Sequence, residues 1–236
     1  VALTGCGADK SQQSDPADDG KKSLTIAVLN DVVSLDPAVK DSSAEMQMAS
    51  HLYDPLVDYD ADLSKKPGLA ESWEYNDDQT ELTFHLRQGV TFHNGEPFNA
   101  EAVKTNLEHK QSNPSFYSLK GITDIQEIEV VDEYTITLHY DHPFYAYLQD
   151  FCWPDVNPMS APEYIIPGDF QTISGVAGTG PYIYDEYVAG EYTRFVRNED
   201  YWGETPYWDE IIVKYIPDST SRLQALQTGE IDMIYG

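Results

Sequence analysis

Six histidines, two cysteines and forty-one carboxylates are the side chains of this 236-residue chain that could hold a metal, attack a carbonyl or move a proton. Their spacing supports none of these reactions. His139 and His142 are three apart, but they fall at a strand end and just before Pro143 rather than on one helix face, so they do not converge as metal ligands. His85 belongs to the polar face of a strand and His93 to a turn, where single histidines are surface residues. No H-E-x-x-H, G-x-S-x-G, G-x-x-x-x-G-K-[ST] or paired C-x-x-C occurs. Gly178-Thr179-Gly180 lacks a third glycine and runs into Pro181 and an aromatic strand, which makes it a structural turn and not a dinucleotide loop. The carboxylates are spread too evenly to single out an acid/base pair. The residues read as a binding protein without catalytic groups, metal ligands or a cofactor site.

The two cysteines have different surroundings. Cys152, beside Trp153 in an apolar neighbourhood, fits a buried free thiol. Leu3-Thr4-Gly5-Cys6 resembles a bacterial lipobox, in which a signal peptidase cuts before the cysteine and the thiol of Cys6 takes up a diacylglycerol. Residues 7–23, GADKSQQSDPADDGKKS, carry almost no apolar side chain and cannot offset the entropy of ordering. Residues 1–23 therefore read as signal-peptide remnant, lipobox and flexible tether. No segment approaches the roughly twenty apolar residues of a membrane span, so contact with the membrane is expected through a lipid anchor only. The formal charge of −27, from forty-one acidic and fourteen basic side chains, repels phosphate backbones and excludes nucleic acid as a partner. The place expected for such a chain is the cell envelope, outside the cytoplasmic membrane.

The elements begin with Leu24–Leu29, a short apolar run fit for a buried strand, followed by a loop over NDVVSLDP. Ser42-Ser43-Ala44-Glu45 has capping-box spacing, Met46, Ala49 and Tyr53 recur on one helical face, and Pro55 ends that helix. Leu56–Tyr59 reads as a strand. From Glu81 to Leu86, Leu82, Phe84 and Leu86 alternate with Glu81, Thr83 and His85, the period of a half-buried strand. A second apolar run, Val90–Phe92, closes at Asn94-Gly95 to give a hairpin-like unit, and Asn99 caps a helix over Ala100–His109. Ile122–Val131 and Tyr134–Tyr140 pair across Asp132-Glu133; Pro143–Phe151 is a short aromatic helix, and Trp153–Pro167, with its prolines, an irregular excursion. Strands return at Tyr182–Tyr187, Tyr192–Arg197 and Ile211–Ile216, before a helix from Ser219 to Gln227 between Asp218 and Gly229. Strands and helices mix without strict alternation, so the class is α+β, or irregular α/β.

Three stretches carry a family resemblance. Pro67-Gly68-Leu69-Ala70-Glu71-Ser72-Trp73-Glu74, then Phe84 to Gly95 (FHLRQGVTFHNG), then Asn99-Ala100-Glu101-Ala102-Val103 resemble the signature of the extracellular solute-binding proteins, family 5, of peptide and nickel ABC importers. Later blocks of that family recur in the same order, at Gly178–Tyr182, Arg197–Gly203, Ile216–Asp218 and Gly229–Asp232, so the resemblance covers about residues 24 to 236. It implies a periplasmic-binding-protein-like type II lobe built from residues 24–56 and 178–236, with residues 57–177 as an inserted smaller domain. The family is about twice this length, so the second ligand-binding lobe is missing, and the Ile231–Ile234 strand is expected to lack its partners.

The function implied is a receptor that captures di- or oligopeptides, or a related small solute, and hands it to the permease subunits of an ABC importer. The ligand-binding positions carried over by the resemblance are Val33, Ser34, Leu35, Met46, Phe116, Tyr117, Asp155, Val156 and Asn157. The alternative is a nickel or metal-chelate receptor, because Tyr147–Asp150, Phe195–Glu204 and Asp232–Gly236 are closer to the nickel branch. That branch places a chelate-holding arginine in the segment matching Asp155–Pro158, whereas no arginine lies between Arg87 and Arg194 here. A secreted hydrolase and a surface adhesin are the remaining classes; the hydrolase lacks any nucleophile constellation.

Overall fold

The computed structural model describes residues 20–32, 34–35, 43–143, 146–152, 157–165 and 176–235, with the backbone alone for 43–47. In chain order the elements are β1 (Ser23–Val28), α1 (Ser43–Leu52), β2 (Val57–Tyr59), β3 (Lys65–Pro67), β4 (Ala70–Tyr75), β5 (Glu81–Leu86), α2 (Ala100–Gln111), α3 (Lys120–Thr123), β6 (Ile125–Asp132) and β7 (Thr135–Tyr140). After the irregular stretch come β8 (Tyr182–Val188), β9 (Tyr192–Arg197), β10 (Glu210–Tyr215), α4 (Ser219–Thr228) and β11 (Met233–Ile234).

Two sheets dominate. The first has five strands in the order β11-β1-β10-β9-β8, with β1 parallel to both β10 and β11 and the other pairs antiparallel. On one of its faces Ile26, Val28, Ile211, Val213 and Phe195 bury against Met48, Leu52 and Tyr53 of α1 and the residue after it. On the other, Ala27 meets Ala225 of α4 and Ile231. The second sheet is antiparallel, β4-β5-β7-β6, and α2 lays Val103 and Leu107 over Leu82, Phe84, Leu86, Ile136 and Leu138. β2 and β3 form a small hairpin beside it. None of the described helices is long and apolar enough to cross a membrane.

The alternation of β5 holds residue by residue: Leu82, Phe84 and Leu86 are buried, and Glu81, Thr83 and His85 are half-buried. Asn99 caps α2 as its type predicts, its side-chain oxygen accepting from the Ala102 amide. Asp218 does the same for Ser221 in α4, and Gly229 ends that helix in the left-handed region, at φ 76°.

Three expectations need correction, and one strand carries no sequence signal. β5 pairs with β4 and β7; the run Val90–Phe92 folds back on residues 96–98 around Asn94-Gly95, with a single bridge from Thr91 to Pro97. β4 is a strand that periodicity misses, because a bulge between Ala70 and Ser72 breaks its alternation and Glu71, Ser72 and Glu74 face solvent. Ile122 belongs to α3 rather than to β6, and the hairpin turns at Glu133-Tyr134. Met233 and Ile234 do have partners: they pair in parallel with Ile26 and Ala27.

Candidate functional site

Because β10, β1 and β11 run parallel, their carboxyl ends lie along one edge of the five-stranded sheet, the place where open mixed sheets bind ligands. The pairing continues past the strand ends, with the Ile216 amide donating to Val28 and the Tyr235 amide to Ala27. Leu29, 45% exposed, and Tyr235, 38% exposed, therefore present apolar surface at adjacent strand ends.

The segment leaving β1 is fixed at both ends. Asp31 accepts from its neighbour's Val32 amide at 2.8 Å, from the Tyr187 hydroxyl at 3.0 Å and from the Gly190 amide at 2.8 Å. Gly190 sits in the β8–β9 turn at φ 74°, a conformation that suits a residue without Cβ. Burial and the Asp31 carboxylate push the Tyr187 phenol up to about 12, so it remains a donor. Four residues further on, the Leu35 carbonyl accepts from the Tyr53 hydroxyl at 2.7 Å. The result is a pre-organised loop at the sheet edge, whose Val32, Ser34 and Leu35 pack inward.

At the carboxyl end of α1 lies a buried carboxylate. Asp54 accepts from the hydroxyls of Thr179 (2.9 Å) and Tyr201 (3.0 Å) and from the Trp202 indole (2.8 Å). Removal from water raises its carboxyl, and the three donors pull against that rise. A cavity of about 330 Å³ beside it is lined by Asp58, Lys66, Gly68, Tyr201, Trp202 and Glu204.

The predicted site residues divide by location. Cys6, Val33, Asp155 and Val156 lie outside the described residues, as does the side chain of Met46. Ser34 and Leu35 share the loop just described. Asn157 is fully buried, its Oδ1 accepting from the Lys110 ammonium at 2.8 Å, while Lys110 also donates to the Pro158 carbonyl at 2.6 Å. Pro158 in turn bridges to Pro55, two residues beyond Tyr53. Phe116 packs in a separate small cluster with Ile122 and Leu119, and Tyr117 projects into solvent at 76% exposure. Asp31, Tyr187 and Lys110 carry no signal in the sequence and Tyr53 reads there only as a helix-face residue; each acts through a partner distant in the chain, such as Tyr187 for Asp31.

Cys152 is buried, its thiol donating to the Leu148 carbonyl, and burial pushes it up to about 11. His93 departs from the expectation of a surface turn: its ring bonds to Gly180 at 3.0 Å and Gly178 at 3.2 Å. Among the described residues, no group of three histidine, cysteine or carboxylate side chains is arranged to hold a metal ion.

The chain is 37% identical over 199 residues to the nickel-binding periplasmic protein of Escherichia coli (strain K12), covering 81% of this chain and 37% of that protein. It is 31% identical over 221 residues to a glutathione-binding protein of Salmonella typhi, covering 91% of this chain and 42% of the other. Among solved structures it superposes on NikA from Brucella suis in complex with Fe(III)-EDTA with a TM-score of 0.82 at 36% identity, over 89% of this chain and 42% of that one. The periplasmic binding protein DppA of Helicobacter pylori in complex with the peptide STSA gives 0.79 at 28% identity, over 91% and 46%. The chain thus spans about two-fifths of the length of the curated relatives it matches. The family model of the bacterial extracellular solute-binding proteins, family 5 Middle, matches residues 65–236, and the chain belongs to that family.

Proposed function

We propose that this chain is part of a substrate-binding lipoprotein of an ABC importer, which captures peptides or a related small solute outside the cytoplasmic membrane and delivers it to the permease. The observation that carries the reading is the match to the solute-binding family over residues 65–236, together with a pre-organised loop at the carboxyl ends of three parallel strands. Residues 24–56 and 178–236 make the first lobe and residues 57–177 an inserted domain, in keeping with the separate five- and four-stranded sheets. The solute sits between this lobe and a second one, with the Ser34–Leu35 loop at its border. Cys6 carries the lipid and residues 7–23 the slack between membrane and receptor. The protein is a receptor and not an enzyme.

A nickel or metal-chelate receptor is the second reading. It is favoured by identities of 37% and 36% to the nickel-binding protein and NikA, against 31% and 28% to the glutathione- and peptide-binding relatives. Native mass spectrometry of the full-length protein, purified without added ligand and then offered a peptide pool and nickel chelates, separates the two. A ladder of peptide masses supports the first reading and a single mass with a nickel isotope pattern the second. A protein that retains and takes up neither contradicts both.

A further inference from the structure

His93 ties the four-stranded part of the molecule to the segment that returns to the five-stranded sheet. Its backbone amide donates to the Gly178 carbonyl at 2.9 Å. Its ring then reaches the same segment twice, with Nδ1 3.2 Å from the Gly178 amide nitrogen and Nε2 3.0 Å from the Gly180 carbonyl oxygen. An amide N–H only donates and a carbonyl only accepts, so Nδ1 must be bare and Nε2 must carry the proton. The Nδ1 contact works only with a neutral ring; the Nε2–H bond to Gly180 survives protonation. Burial favours the same state, holding His93 below the ordinary imidazole range.

The segment has no lateral slack with which to adapt. On its far side the Gly180 amide donates to the Leu52 carbonyl at 2.9 Å. A Cβ at Gly178 would stand 2.0 Å from the Leu52 carbonyl oxygen, and one at Gly180 would stand 2.5 Å from the Leu52 carbonyl carbon. Asn198 also donates to the Gly180 carbonyl, at 3.1 Å.

The charged and titratable groups around this junction are engaged elsewhere. From the end of α1, Asp54 is held by Thr179, Tyr201 and Trp202, and His51 lies against the rings of Tyr182 and Phe195. From the loop after β9, Tyr201 is committed to Asp54. Arg87 stacks over Trp202 at 4.6 Å. Glu163 accepts from Asn94 at 3.1 Å, and Glu96 lies on the same turn as His93. Among the described residues, no carboxylate reaches the His93 ring to compensate a second ring proton.

We propose that His93 is a proton-operated latch on the Gly178–Gly180 crossover, closed when the imidazole is neutral and opened when Nδ1 takes up a proton from solvent. Once protonated, Nδ1–H faces the Gly178 N–H, donor against donor, and that bond is lost. The Gly180–Leu52 bond has no such requirement and persists. In acid the crossover therefore loses its Nδ1–Gly178 tie while the His93 backbone bond to Gly178 and the Nε2–H bond to Gly180 remain, on a different trigger from solute binding.

The test is amide exchange of the full-length protein by NMR from pH 7.5 down to the pH at which the His93 nitrogen shifts report the imidazolium, each rate normalised to the intrinsic exchange rate at that pH. The Gly178 amide should lose protection by roughly five- to tenfold as His93 titrates, the effect of one hydrogen bond, while Leu82 and Phe84 in β5 keep theirs. His93→Asn, which offers an oxygen near the Nδ1 position and does not titrate, should hold Gly178 protection constant over the same range. The imidazole nitrogen shifts of the wild-type chain give a check that needs no variant: at pH 7.5, Nε2 protonated and Nδ1 bare. An Nδ1–H tautomer at pH 7.5 overturns the latch. So does unchanged Gly178 protection in the wild type, the same acid loss in His93→Asn, or a loss spread evenly over β5.

Discussion

The five-stranded sheet pairs Ser23 with Glu210 and Ile26 with Met233, so both neighbours of β1 come from the far end of the chain. The four-stranded sheet closes over far shorter loops, its widest pairing being Glu81 with His139. The two also differ in what they offer. The antiparallel sheet buries one face beneath α2 and turns the other outward, with Glu74, Thr83, His85, His139 and Glu129 at its outer positions. The five-stranded sheet lines up three parallel strand ends, and beside them Asp31 and Leu35 are each held by hydrogen bonds from distant residues. On the proposed function, the short-range sheet is the scaffold and the long-range sheet the binding edge.

The largest expected effect probes the scaffold. Phe84 is fully buried at the centre of the four-stranded sheet, its ring 5.1 Å from that of Phe151. Phe84→Ala should cost about 3–5 kcal/mol in urea unfolding, with the solute affinity of the protein that remains folded unchanged. An equal loss of affinity would erase the distinction between the two sheets.

The next probes the core of the five-stranded sheet. Burial between Tyr182 and Phe195 lowers His51 to about 4, below the ordinary imidazole value of 6.5. With the folded value depressed, the unfolded chain binds the proton more readily, so the contribution is full above pH 6.5 and drains away as pH falls toward 4. Asp54, raised by burial, acts with the opposite sign, its contribution present in acid and lost as pH rises through its folded value. Comparing the wild type with His51→Phe cancels the Asp54 part. Chemical unfolding at each pH should show the stability difference between the two proteins widening by about 3 kcal/mol from pH 4 to 7 in favour of the wild type. A constant difference would show that His51 is not desolvated.

The smallest change in stability should bring the clearest change in binding. Tyr53→Phe removes only the hydroxyl that holds the Leu35 carbonyl, and should cost about 1 kcal/mol of stability. Freed at that end, the loop should bind solute several-fold more weakly in calorimetric titration, the cost of ordering it falling on the binding step. Asn99→Ala, which removes the α2 cap from the scaffold, should cost a similar ~1 kcal/mol and leave affinity alone. The pair matches in stability and differs in function.

The same contrast marks what could be read without coordinates. β5, the Asn99 cap and the Asp218–Gly229 helix are legible because period, cap and left-handed glycine are written within a dozen residues. β4 is not, since its bulge hides the alternation. His93 looks like a surface turn because its partners are 85 and 87 residues away, and Asp31 looks like a loop residue because Tyr187 is 156 away. Of the positions carried over by family resemblance, Ser34 and Leu35 lie on the pinned loop, Asn157 and Phe116 are packed inside, and Tyr117 is open to solvent. Resemblance transfers the position of a residue in the chain, and packing decides which of its atoms reach a ligand.

The most direct test of the binding edge is hydrogen exchange of the full-length protein with and without the solute identified by native mass spectrometry. The account predicts slowed exchange at residues 29–35 and at Ile216 and Tyr235, with β4 to β7 unchanged. Protection confined to the four-stranded sheet, or absent from the β1 edge at saturating solute, would contradict it.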